Sequence, residues 1–158
     1  MKCRKERGAV IAEAAVVIGL LFFFLLATME FGRIYNVYQV ITDAAREGAR
    51  FSALSNGGTQ PTAQNVANQV CSYLNASAVQ LDCTVKQNLP QGVTCNSGTS
   101  LPNTTPPGVY VTSNCTVVVN NVQTGYSEVD VAVPYRFLSL PFGTVNIRTR
   151  AVMRNETN

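Results

Sequence analysis

Between Ala9 and Met29 the chain carries a single charge, and that charge is a carboxylate, Glu13. At about 1.5 Å per residue, a helix of this length covers a hydrocarbon core of roughly 30 Å. The run therefore reads as a membrane-spanning helix. Lys2, Arg4, Lys5 and Arg7 precede it. Basic flanks stay cytoplasmic, which places the C-terminal part outside. The run is long for the apolar core of a secretory signal peptide, and no small-x-small site with a polar break follows it.

Glu13 needs a reason to be there. A carboxylate at a bilayer centre costs on the order of 3 kcal/mol on insertion scales. Position 13 is only about one helical turn inside the boundary, so an isolated acid could snorkel to the headgroups. A sharper reading uses Gly8. If the chain is cut after Gly8, Ala9 gains a free α-amine and Glu13 becomes the fifth residue. The amine of one subunit can then pair with Glu13 of its neighbour. Opposite charges about 4 Å apart gain about 4 kcal/mol at an effective dielectric near 20. That offsets burial and fixes the axial register between subunits. Ala15 and Gly19, four apart on one face, allow close helix approach in lipid.

The charge balance divides at the same place. The 158 residues include 12 Lys or Arg and 9 Asp or Glu. Residues 1–8 hold four of the basic residues and one acid, Glu6, so the remainder has eight of each and is formally neutral. The remaining basic residues are scattered, which argues against a nucleic-acid partner. Cysteines divide likewise: Cys3 before the run, and Cys71, Cys83, Cys95 and Cys115 after it. An even four beyond the membrane fits two disulfides in an exported domain. Three pairings are open, and the short loops Cys71–Cys83 and Cys95–Cys115 are slightly favoured. The chain has no histidine and no CxxC, so no metal or cofactor is expected.

The helix is expected to run on from Val10 to about Leu54. Ile34, Tyr38, Ile41, Ala45, Gly48 and Ser52 recur at steps of 3 and 4, the period of one helical face. Glu30/Arg33, Asp43/Arg46 and Glu47/Arg50 are pairs three apart. Tyr35 and Tyr38 fall where the helix leaves the outer leaflet. The stripe then shrinks to Ala45, Gly48 and Ala49, which suggests a close-packed layer there. Residues 55–61 are breakers. Thr62 is positioned to cap a second helix reaching Leu74 or Asn75, with Val66, Ala67, Val70 and Cys71 inward.

Beyond that helix the period becomes 2. Val79 to Lys86 alternates as a half-buried strand. Residues 88–108 read as a long loop pinned by Cys95. Cys115 to Val119 (from about Val109), Val129 to Tyr135 and Val145 to Met153 complete a four-stranded set, with a turn at Asn120-Asn121 and Gly125. Short connections favour an antiparallel sheet. Leu138, Leu140 and Phe142 are expected to join the core. Asp82, Glu128 and Asp130 are expected on solvated strand faces. The sequons at Asn75, Asn103, Asn114 and Asn155 carry little weight in a chain rich in Asn, Ser and Thr. Without histidine the usual general base is missing, and Lys86 is the only lysine after the leader. No enzyme activity and no small-molecule substrate are expected.

Three stretches together resemble the TadE-like family, the pseudopilins (minor pilins) of the tight-adherence, or Flp, pilus system. They are Gly8-Ala9-Val10-Ile11-Ala12-Glu13 with the apolar run, Met29-Glu30-Phe31-Gly32-Arg33, and Asp43-Ala44-Ala45-Arg46-Glu47-Gly48-Ala49-Arg50. The resemblance covers about residues 7–50. Arg150 to Glu156 is similar more weakly, and residues 55–125 show no match. It implies a precursor cut after Gly8 by a prepilin peptidase, with Gly8 and Ala9 as the processing site. Glu13 corresponds to the glutamate that follows the cleavage glycine. Ala14 stands where Flp-type signals usually have tyrosine, and Ala9 is not the aromatic or Met that often opens type IV pilins. The implied partners are the peptidase, other pilin subunits, the assembly machinery and the inner membrane.

The expected fold is thus α+β and pilin-like. It has a leader (1–8), a transmembrane half-helix (9–29) and a periplasmic domain (30–158) with a short second helix and a four-stranded antiparallel sheet. The expected function is that of a minor pilin in pilus assembly. The alternative is an uncleaved single-pass protein with a periplasmic interaction domain.

Overall fold

A computed structural model describes residues 3–54, 61–77, 79, 81, 106–119, 121–138 and 143–155. Helix α1 spans Cys3–Ala53. With 51 residues it is about 77 Å long. Helix α2 spans Ala63–Ala76. The strands are β1 (Gly108–Val119), β2 (Val122–Arg136) and β3 (Thr144–Arg154). They form one antiparallel sheet in the order β1-β2-β3.

Local chemistry accounts for the element ends. The Thr62 hydroxyl accepts the Asn65 N–H at 3.3 Å, satisfying one of the amides that a helix start leaves open. At the other end of α2 the amides of Ser77 and Val79 both donate to the Leu74 carbonyl at 3.0 Å. Val119 pairs with Val122, so β1 and β2 join through Asn120-Asn121 alone. Asn121 takes φ 61°, the left-handed conformation that such tight turns require and asparagine tolerates. The β1 register shifts between Thr112 and Cys115, a bulge that bends the strand.

The core lies between the second half of α1, the inner face of α2 and one face of the sheet. Ile41, Ala44, Ala45 and Ala49 of α1 meet Val66, Ala67, Val70 and Leu74 of α2 and Val129, Val131 and Val133 of β2. The small stripe on α1 is what lets α2 and the sheet approach. A Cβ on Gly48 would run into Val70 Cγ2 and lie 3.4 Å from Val129 Cγ1. Tyr38, expected on the inward stripe, is instead 47% exposed. Ile41, one turn beyond it, is fully buried.

Two expectations are corrected. Among the described residues the sheet has three strands, not four. At Val79, where a strand was expected to begin, the amide is already spent closing α2. Val79 and Leu81 pack half-buried on the core, and neither lies in a strand. Alternation reports one-sided burial, and packing alone satisfies it. The rest of that segment and most of the expected loop at 88–108 lie outside the described residues, as do Leu140 and Phe142. Leu138 is not a core residue: it is 77% exposed and lies beyond the end of β2 at Arg136.

Candidate functional site

Every residue of α1 from Gly8 to Leu26 is exposed. None of its most apolar stretch is buried, and α1 is the one helix among the described residues long and apolar enough to cross a membrane. A helix that is hydrophobic all round must meet lipid or other helices. Gly8, Ala9 and Glu13, picked out from sequence, all sit on this free half. A Cβ on Gly8 would meet nothing within 4 Å. All three are exposed, so they are presented outward.

Where the apolar run ends, the domain grips the helix. Glu30 is 3% exposed. Its Oε2 accepts the Tyr135 hydroxyl at 2.8 Å and Arg33 Nη1 at 3.1 Å. Its Oε1 accepts the Leu138 backbone N–H at 2.7 Å. A buried carboxylate is tolerable only when paired and hydrogen-bonded, and here three donors meet it. The Arg33 guanidinium also lies 5.7 Å from the Tyr135 ring centroid, and Phe137 packs edge-on against that ring at 5.4 Å. Burial, and then the bond to Glu30, push the Tyr135 hydroxyl above its ordinary pKa, so it stays a donor.

The other end of the helix is held by a second polar contact. The Ser127 hydroxyl donates to Asn155 Oδ1 at 2.6 Å and lies 3.4 Å from the Ser52 carbonyl. The Asn155 amide donates to the Gly125 carbonyl at 2.9 Å. Midway, the Thr149 and Thr42 hydroxyls are 3.2 Å apart. The emerging half of α1 is therefore fixed to the sheet at its start, middle and end.

A second charged group occupies the opposite face of β2. Side chains alternate along a strand, so while Val129 and Val131 face α1, Glu128 and Asp130 point away. They are nonetheless 1% and 4% exposed, which corrects the expectation of a solvated face. Asp130 lies across from Tyr110 on β1 and Arg150 on β3. Arg150 Nη2 bonds Glu128 Oε2 at 2.5 Å. Burial first, then the hydrogen bond to Glu128 and its charge, push Asp130 up to about 7, against the pull of Arg150.

Cys71 and Cys115 are each disulfide-bonded. Cys83 and Cys95 lie outside the described residues, and so does the expected pairing. No group of three or more acids, cysteines or histidines is placed to hold a metal among the described residues. Along the outer face of α1, Tyr35, Tyr38, Gln39, Thr42, Asp43 and Arg46 line a shallow open groove of about 370 Å³.

Residues 8–50 match the family model described as TadE-like protein. The match begins at Gly8, includes Glu13 and Glu30, and ends within the α1 half that packs on the sheet. No curated protein and no solved structure matches significantly.

Sequence reasoning found the free half of α1 and its acid, because charge and period are local. It missed Glu30 as a clasp. The visible signal was an acid directly after the apolar run with Arg33 one turn on. Tyr135, 105 positions away, could not be read from it.

Proposed function

We propose that this chain is a non-enzymatic minor pilin, or pseudopilin, of a tight-adherence pilus. In this reading a prepilin peptidase cuts it after Gly8, and its free half-helix joins it to other subunits at the inner membrane. The N-terminus starts on the cytoplasmic side and the α+β domain is periplasmic. The carrying observation is the exposed apolar half of α1 with Glu13 on it, rigidly continuous with a folded domain. An α-amine at Ala9 and a neighbour's Glu13 supply the pairing that sets subunit register. Disulfides from Cys71 and Cys115 suit an oxidising compartment. Partners are the peptidase, other pilin subunits and the assembly machinery.

The helix runs unbroken through Gly8, whereas peptidases act on extended chain. That favours a second reading, an uncleaved single-pass protein with a periplasmic interaction domain. Intact mass and N-terminal sequencing of the membrane-extracted protein separate the two. A start at Ala9 supports processing. A chain that keeps Met1 or Lys2 in cells with active peptidase removes the first reading.

A further inference from the structure

The structure points to a second membrane contact, which we propose is made by the β2–β3 end of the domain seating on the phospholipid headgroup layer beside the helix exit. This rests on α1 crossing a membrane, as proposed above.

The placement is fixed by one hydrogen bond. Glu30 is the first residue after the apolar run, so it marks the level of the bilayer surface. Its Oε1 holds the Leu138 N–H at 2.7 Å, and its Oε2 holds the Tyr135 hydroxyl. The end of β2 is therefore pinned at that level. Strand register brings the start of β3 to the same place, with Tyr135 opposite Val145 and Arg136 opposite Thr144.

What the described residues of this end present is apolar with a cationic margin. Leu138 is 77% exposed, more than any large hydrophobic side chain of the apolar run, and Val145 is 47% exposed. Arg136 is exposed, and the Arg33 side chain is 42% exposed above the Glu30 carboxylate. The one acid here, among the described residues, is Glu30, and it is buried beneath its donors. The next along α1, Asp43, lies about 20 Å further from the membrane. Exposed leucine and valine beside arginines, with no exposed carboxylate among them, match the junction of acyl chains and phosphates. Continuity with the spanning helix selects the bilayer over a protein partner. With two points on the membrane the domain cannot rock about the helix exit, and Glu30 couples them.

The test places a polarity-sensitive fluorophore on the full chain in phosphatidylethanolamine/phosphatidylglycerol nanodiscs. Single cysteines are introduced by Leu138→Cys, Val145→Cys, Phe24→Cys and Asn68→Cys in a Cys3→Ser background, and quenching by headgroup-nitroxide lipid is read. A blue shift and loss of emission at positions 138 and 145, with neither at 68, supports the contact. Deep-nitroxide quenching at 24 with positions 138 and 145 as unquenched as 68 overturns it and leaves the spanning helix standing. No quenching at 24 overturns both. In the same discs, Glu30→Gln should reduce the quenching at 138 while leaving that at 24 unchanged. An unchanged value at 138 overturns the coupling through Glu30.

Discussion

Glu30 carries its charge at the end of the apolar run, and its three donors come from α1 itself and from the end of β2. Charge-assisted hydrogen bonds are worth roughly 1.5–3 kcal/mol each, and orphaned donors add a penalty. Glu30→Ala is expected to destabilise the domain by about 3 kcal/mol, and Tyr135→Phe by about 1–2 kcal/mol. Thermal unfolding in detergent, with the two compared, measures both. Asp130 makes the opposite kind of statement. Its folded pKa, about 7, stands above its ordinary 3.8, so the folded state binds the proton more tightly. That stabilisation is complete below the unfolded value and is lost as pH rises through about 7. Denaturation midpoints should fall from acidic to neutral pH. Asp130→Asn should flatten the slope, and an undiminished slope would reassign it to other groups.

At the scale of the element, α1 is one helix doing two jobs with two compositions. Its first half offers large side chains all round. Its second half narrows to Ala44, Ala45, Gly48 and Ala49 where two layers press on it. Glycine costs a helix up to about 1 kcal/mol relative to alanine, so its use is informative only where space demands it. At Gly32 a Cβ would meet nothing within 4 Å, and Gly32→Ala should stabilise by about 0.5–1 kcal/mol. At Gly48 the same change drives a methyl into buried Val70, and overpacking costs typically 1–3 kcal/mol. Gly48→Ala should therefore destabilise on balance, by about 1 kcal/mol, and Gly48→Val by more. Urea midpoints for the three variants give the ranking. The helix period and its small stripe were legible in the sequence. Which neighbours the stripe admits was not, because α2 and the sheet are brought there by contacts distant in the chain.

The whole molecule is a rod with a domain clamped along its second half. Glu30 fixes one end of the clamp, Thr42 the middle and Ser52 the other end, against β2 and β3. The free half has no part in that clamp, so changes on it should alter assembly without altering the fold. Glu13→Ala should leave insertion and thermal stability unchanged and abolish piliation. Normal pili in that variant would remove the charge-pairing argument. The resemblance of residues 7–50 to TadE-like proteins was readable in advance, since its motifs are contiguous, and the family match covers residues 8–50.

Sequence alone determined what depends on near neighbours. The apolar run set the first half of α1, the 3.6 period carried it onward, Thr62 set the start of α2, and alternation placed three strands. It also supplied the ion pairs Arg33–Glu30, Arg46–Asp43 and Arg50–Glu47, all present at 3.1, 3.5 and 3.9 Å. The tertiary structure alone decided how the described strands order in the sheet, β1-β2-β3. It buried Glu128 and Asp130, left Leu138 outside, and joined Glu30 to Tyr135. Those outcomes depend on which surfaces meet after folding, and burial is a property of the partner surface as much as of the residue.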